Sequence, residues 1–258
     1  MSNLFDLSGR VALVTGAASG LGASAALAYA NSGADVALLD LNEGSMQQSV
    51  KEIETLGRKA ITIKCNVADE ANVRAAVQQA HNELGSIDIL LNCAGVARNG
   101  GIDTTSEEEW DFVMDINLKG VYLVSKYVIP YMRENKYGRV VNISSVNSLV
   151  ADKNPQLWRH SYNASKGGVR GLTIGMAASY GMDNITVNAL CPGLFETGMT
   201  KDTLFKADQF MQMYNALNPM GRPANPGELD GPILFFSSEA SAYVTGQWLA
   251  VDGGFSIV

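Results

Sequence analysis

Short runs of consecutive apolar residues alternate along this chain with longer stretches in which apolar residues recur every three or four positions. The short runs lie at 10–15 (RVALVT), 35–39, 59–64, 87–91, 139–143, 185–190 and 247–251. The longer stretches cover 20–32, 43–57, about 69–84, about 106–134, a segment opening near Ser161, and about 226–237. A period near 3.6 predicts helices, and a short unbroken apolar run predicts a strand buried on both faces. Strands of that kind belong to a parallel sheet covered by helices on both sides, so the pattern predicts an α/β, doubly wound fold with seven parallel strands. Pro130, near the end of the long helix, and Pro192-Gly193, after a strand, read as breaks. No repeat, linker or low-complexity tract divides the 258 residues, which predicts a single domain.

Composition narrows the possible partners. With 47% hydrophobic and 17% charged residues the chain has material for a full core. A formal net charge of −7 offers no basic footprint for nucleic acid or an anionic membrane surface, which leaves small molecules as the expected partners. The three cysteines, at 65, 93 and 191, have no C-x-x-C spacing, which suits reduced thiols in the cytoplasm. Only two histidines occur, so no metal site is expected. The first ten residues lack a signal-peptide pattern, and no apolar run approaches membrane-spanning length.

The first predicted strand runs directly into Thr15-Gly16-Ala17-Ala18-Ser19-Gly20-Leu21-Gly22, which opens a helix. Glycines there permit a tight turn and let backbone amides approach a pyrophosphate, while the helix start supplies unpaired N–H groups and a positive dipole end. Asp40 ends the second strand roughly 20 residues further on, where a carboxylate can accept hydrogen bonds from both adenosine ribose hydroxyls. It would repel a 2′-phosphate, and neither Ala17-Ala18-Ser19 nor Leu41-Asn42 supplies a cation to hold one, so NAD is expected over NADP. Asp40 could instead cap local backbone, although Asn42 stands in the better position for that.

In Ser161-Tyr162-Asn163-Ala164-Ser165-Lys166, Tyr162 and Lys166 are four residues apart on a predicted helix and share one face. A cation beside a phenol favours the phenolate, which would lower the Tyr162 pKa from its usual value near 10 and fit it for general acid/base work. Ser145 lies at the carboxyl end of the fifth strand, where open parallel sheets bind ligands; its neighbour Ser144 is the alternative.

Taken together these segments resemble the short-chain dehydrogenase/reductase family over essentially the whole chain, which implies a Rossmann fold. The glycine loop is similar to that family's T-G-x-x-x-G-x-G. Asn66-Val67-Ala68-Asp69 resembles its adenine-contacting D-V-x-D, with Asn66 in place of Asp. Asn92-Cys93-Ala94-Gly95 resembles N-N-A-G, with Cys93 in place of the second Asn. Ile116-Asn117-Leu118 is similar to the helix site of the catalytic Asn, Ser145 to the catalytic Ser, and Tyr162-x-x-x-Lys166 to Y-x-x-x-K. Pro192-Gly193 and Thr197 resemble the P-G-x-x-x-T segment that closes over the nicotinamide. The resemblance implies that Asn117 links through a water to Lys166, that Lys166 also binds the nicotinamide ribose, and that the protein forms a homotetramer.

The substrate is less legible. The polar loop 147–160 and the cations Arg98, Lys153, Arg159 and Lys201 suggest a sugar, sugar acid or other polyol, and the chain's last third resembles the family's sugar-acid 5-dehydrogenases. The Met-rich, apolar lid expected at about 195–220 would suit a hydrophobic ketone or 3-oxoacyl compound instead. Solvation of loop cations and packing of the lid on its own protein explain the same residues without a ligand. An NAD-binding regulator on the same fold is the non-enzymatic alternative, against which the intact Asn117, Ser145, Tyr162 and Lys166 set argues.

Overall fold

A computed structural model of the chain describes residues 3–258. Seven parallel strands form one sheet in the order β3-β2-β1-β4-β5-β6-β7: β1 Val11–Thr15, β2 Asp35–Asp40, β3 Ala60–Lys64, β4 Ile89–Asn92, β5 Gly138–Ile143, β6 Ile185–Pro192 and β7 Trp248–Val251. Every pairing is parallel. Strand order reverses between β1 and β4, which opens a crevice at their carboxyl ends.

Alternation along the strands builds two cores. Ala12 and Val14 of β1 pack with Ala25, Tyr29, Ile233 and Phe236, whereas Leu13 packs on the other face with Val73, Val77, Val124 and Val128. The first layer is carried by α1 (Gly20–Asn31), α2 (Gln47–Thr55) and α8 (Asp230–Ser237); the second by α3 (Glu70–Leu84), α5 (Gly120–Glu134) and α6 (His160–Tyr180). Caps explain several boundaries. The Asp69 carboxylate accepts from the Asn72 amide at 3.0 Å at the start of α3, and left-handed Gly85 ends it. Ser106 accepts from the Glu109 amide at 3.2 Å at the start of α4 (Glu107–Met114).

The structure departs from the sequence pattern at several points. The long helix is α4, a π turn over Asp115–Lys119, and α5; Pro130 lies inside α5, which continues to Glu134. Pro130 is therefore no break. The last helix begins at Asp230, because residues 225–228 form a turn in which Arg222 and the Asn225 amide both bond Glu228. A helix without a sequence forecast of its own, α7 (Asp208–Leu217), occupies the middle of the lid. β7 is an edge strand with Trp248 and Leu249 exposed, so its apolar run does not mean burial on both faces within one chain.

Candidate active site

A cleft of about 410 Å³ opens at the strand reversal. Its floor is the glycine loop. Gly16 has φ +70°, and a Cβ there would lie 2.8 Å from the Ala94 Cα; a Cβ on Gly22 would run into the Gly16 carbonyl. The sequence carries glycine because the backbone leaves no room for anything else. The Thr15 hydroxyl ties the loop to the turn after β4, accepting from the Cys93 and Ala94 amides at 3.0 and 3.2 Å. Ser19 is the N-cap residue of α1, yet its hydroxyl caps nothing, so the first-turn amides face the cleft without a side-chain acceptor. That arrangement is a ready anion cradle.

Most of the predicted residues line this one cleft: Gly16, Ser19, Gly20, Leu21, Gly22 and Asp40 on one side, Asn66, Val67, Ala94 and Gly95 in the middle, and Ser145, Tyr162, Lys166, Pro192, Gly193 and Thr197 on the other. Thr197 leans over the glycine loop, its side chain 3.3 Å from where a Gly20 Cβ would be. Asp40 is engaged with backbone already: Oδ2 accepts from the Ala18 amide at 3.1 Å and Oδ1 from the Asn42 amide at 3.0 Å. Asn42 makes no side-chain cap, so the local capping expected of it falls to Asp40. A carboxylate has about four acceptor positions. Asp40 thus braces the loop and keeps capacity for a ligand.

Two predicted residues stand behind the cleft and are not part of its lining. Asn92 is buried and donates to Asn142 at 2.9 Å and Ser125 at 3.2 Å, joining β4 to β5 and α5. Asn117, on the π turn, accepts from the Val96 amide at 2.8 Å and donates to the Val96 carbonyl at 2.8 Å and Ser165 Oγ at 3.1 Å. The amide is satisfied by protein, and no hydrogen bond joins it to Lys166. Both side chains shape the wall from behind.

Ser144 and Ser145 are distinguished by their partners. Ser144 Oγ donates to the Lys166 carbonyl at 2.9 Å and is spent on fixing α6. Ser145 Oγ accepts from the Asn147 amide at 3.1 Å, lines the cleft beside Tyr162, and acts on the phenol in the direction that favours the phenolate. Lys166 is buried, donates from Nζ to the Ile143 carbonyl at 2.8 Å, and lies 5.7 Å from the Tyr162 ring centroid. The expected lowering of the Tyr162 pKa is not found. Burial pushes the phenol above its ordinary value, more than Ser145 and the Arg159 charge pull it down, and burial also pushes Lys166 down to about 8. Sequence spacing gave the neighbours and not the dielectric.

Val96 also shapes the site and had no sequence signal; Thr15, expected only as the start of the glycine motif, and Phe195, Met199 and Thr200, expected only as part of the lid, shape it too. Of these, Thr200 had a local signal: its hydroxyl bonds the Phe195 carbonyl at 2.6 Å and receives the Thr197 amide at 2.9 Å, a turn that the sequence Thr197-Gly198-Met199-Thr200 permits.

A glycine-lined crevice at the strand reversal, with Ser, Tyr and Lys converging beside it, defines a dinucleotide-binding oxidoreductase. Residues 16–256 match the family described as Enoyl-(Acyl carrier protein) reductase. The chain is 40% identical over 253 residues to the 3-oxoacyl-[acyl-carrier-protein] reductase of Thermotoga maritima, covering 97% of this chain and 99% of the other. It is 38% identical to the gluconate 5-dehydrogenase of Gluconobacter oxydans, covering 99% and 98%. It superposes with a TM-score of 0.93 on a gluconate 5-dehydrogenase from Burkholderia cenocepacia solved in complex with NADP and tartrate, at 36% identity and with 99% and 98% of the chains covered. The chain belongs to the short-chain dehydrogenase/reductase family, oxidoreductases that act on an alcohol/ketone pair with a nicotinamide cofactor.

Proposed function

We propose that this protein is an NAD(H)-dependent dehydrogenase that interconverts a secondary alcohol and a ketone on a sugar, sugar acid or other polyol. The observation that carries the cofactor preference is that, among the described residues, Lys166 is the only cation lining the cleft, while Asp40 places a carboxylate at the tip of β2. A 2′-phosphate would meet repulsion there and no compensating partner. The glycine-loop amides would hold the pyrophosphate, Asp40 the adenosine ribose, Asn66 and Val67 the adenine, and Lys166 the nicotinamide ribose; Asn92, Ala94 and Gly95 form the turn behind it, and Pro192, Gly193 and Thr197 cover the nicotinamide. When bound, that cofactor accepts or supplies the hydride.

The chain's own residues manage the proton. With its pKa above the ordinary tyrosine value, Tyr162 is a neutral phenol at pH 7, ready to donate to a ketone oxygen held by Ser145. Lys166, near 8, is largely an ammonium at that pH and stabilises the phenolate left by that transfer. Asn117 sets the position of Val96 and Ser165 around this group.

Sugar-acid substrates are supported by the gluconate 5-dehydrogenase relatives and by the polar loop 147–160. Exposed Met199, Met213 and Met220 on the lid, together with the 3-oxoacyl reductase relative, favour a second reading, reduction of 3-oxoacyl compounds or another hydrophobic ketone. A panel of sugar acids, polyols and 3-oxoacyl thioesters assayed with both cofactors by nicotinamide absorbance tests both. Fastest turnover of a sugar acid with NAD is the expected result; preference for NADP overturns the cofactor assignment, and preference for a thioester the substrate.

Assembly as a homotetramer in a reducing cytoplasm completes the proposal. Exposed Phe112, Tyr122 and Ile174 on α4, α5 and α6, and Trp248 and Leu249 on β7, are apolar surfaces of the kind that association buries, and all three cysteines are free. Sedimentation as a monomer would contradict it.

A further inference from the structure

Four loop cations stand near the cleft in the sequence, and the fold treats them differently. Arg98 is exposed, donates to the Ala97 carbonyl at 3.0 Å and lies 4.7 Å over the Phe112 ring, turned toward α4. Lys153 and Lys201 are exposed. Arg159 is half-buried and is the N-cap residue of α6, three positions before Tyr162. Two loops clamp it: its backbone forms a bridge with Gly100, the Gly100 amide bonds the Trp158 carbonyl at 2.8 Å, and the His160 amide bonds the Gly100 carbonyl at 3.1 Å. Its Nε donates to Asn99 Oδ1 at 3.1 Å, which fixes the plane of the guanidinium.

The two terminal nitrogens of Arg159 have no hydrogen-bond partner among the described residues, and no carboxylate comes within ion-pair distance. Asp152 lies on the same loop and forms no salt bridge with it; burial pushes the Asp152 carboxyl up and the Arg159 charge pulls it down. A planar cation with one nitrogen anchored and two free presents a fork that matches the two oxygens of a carboxylate. Arg159 is not itself part of the cleft lining, but it stands three residues before Tyr162 and bonds Asn99, three residues after Val96; Tyr162 and Val96 both line the cleft, and the Arg159 charge favours the Tyr162 phenolate.

We infer that Arg159 is the specificity-determining residue that holds the carboxylate of a polyhydroxy-acid substrate while the ketone end lies against Ser145 and Tyr162. The inference rests on the sugar-acid reading above and deepens it: a neutral ketone would leave the fork unused, whereas a sugar acid with its carboxylate a few carbons from the reacting centre would engage both ends of the site.

The test compares 5-keto-D-gluconate with a neutral hexulose in the wild-type enzyme, Arg159→Gln and Arg159→Lys. In Arg159→Gln, kcat/KM for the keto acid is expected to fall about 10- to 100-fold, mainly through KM, as for a lost charge-assisted hydrogen bond. The fall should exceed that for the neutral ketose by at least about tenfold, and Arg159→Lys should recover part of it. Parallel losses on both substrates, which a merely structural clamp on α6 would give, overturn the inference. If the wild-type enzyme turns over no sugar acid, the substrate reading fails by itself, and tartrate inhibition of whichever ketone is reduced then decides the role of Arg159. Inhibition weakened about tenfold in Arg159→Gln supports an anion fork; equal inhibition of both proteins, or none of the wild type, overturns it.

Discussion

The dinucleotide wall and the substrate wall of the cleft are held by different means. Along β1, β2 and β4 the wall is backbone: parallel register fixes Thr15, Asp40 and Asn92 at strand ends, and Gly16 and Gly22 pack against other main chain so closely that a single methyl group would displace it. On the other side, loop 147–160 and the lid pair with other backbone at isolated bridges, Gly100 with Arg159 and Phe195 with Ala224, and are otherwise tied mainly by side chains, such as Asn163 donating to the Asn147 carbonyl at 2.6 Å and Tyr214 Oη accepting from the Leu194 amide at 3.3 Å. A wall made of backbone tolerates few sequences and recognises a constant ligand. One made of side-chain bonds on loops can be rewritten residue by residue, which is how one fold serves many alcohols.

The largest expected effect separates the walls at their junction. Tyr162→Phe removes the proton donor and leaves the glycine cradle untouched, so turnover should fall about 10²- to 10⁴-fold while NADH affinity by fluorescence titration changes little. Substantial residual turnover would break the assignment of Tyr162. Next in size is the backbone wall itself. Gly22→Ala sets a Cβ against the Gly16 carbonyl, and NADH binding should weaken by at least about tenfold, accompanied by a lower melting temperature. Unchanged affinity would show that the wall yields more easily than its packing implies.

The cofactor choice sharpens the same comparison. Asp40→Ser with Leu41→Arg removes a carboxylate and adds a cation for a 2′-phosphate, and the kcat/KM ratio of NAD to NADP should drop by about one to two decades. Because Asp40 also accepts from the Ala18 and Asn42 amides, the double variant should lose some stability as well. Loss of stability with an unchanged ratio would reduce Asp40 to a brace.

A smaller effect tests the burial of Lys166. Its folded value, about 8, lies below the ordinary 10.5, so between those pH values the unfolded chain binds a proton that the native chain does not, and this group's contribution to stability rises with pH. Below pH 8 the penalty of a buried ammonium is present in full. Lys166→Met should therefore melt higher than wild type at pH 7 when no cofactor is bound, and the gap should narrow as pH rises from 8 to 10.5. A gap independent of pH would show that the ammonium is not strained by burial. Smallest is the lid: Tyr214→Phe deletes the hydroxyl that meets the Leu194 amide and the Asn218 side chain, for a loss of about 1 kcal/mol in denaturant unfolding.

The sequence alone determined the order of the strands and of every helix but α7, the parallel sheet, the glycine loop and the Ser145, Tyr162 and Lys166 group. All but Ser145 rest on short-range rules: side-chain period, glycine where the turn needs a positive φ, and residues four apart on one helix face. Ser145 rests on the family resemblance, and the bond of Ser144 to the Lys166 carbonyl separates the two serines. Tertiary structure decided what depends on neighbours distant in the chain. It placed Asn92 and Asn117 behind the cleft because their amides find partners on Asn142, Ser125, Val96 and Ser165, which local pattern does not connect. It raised the Tyr162 pKa where spacing alone suggested a lower one, since desolvation depends on everything packed around a group. Among four similar loop cations it gave Arg159 the clamped and half-buried position, because the contact between residues 99–100 and 158–160 exists only once both loops are brought together by the fold.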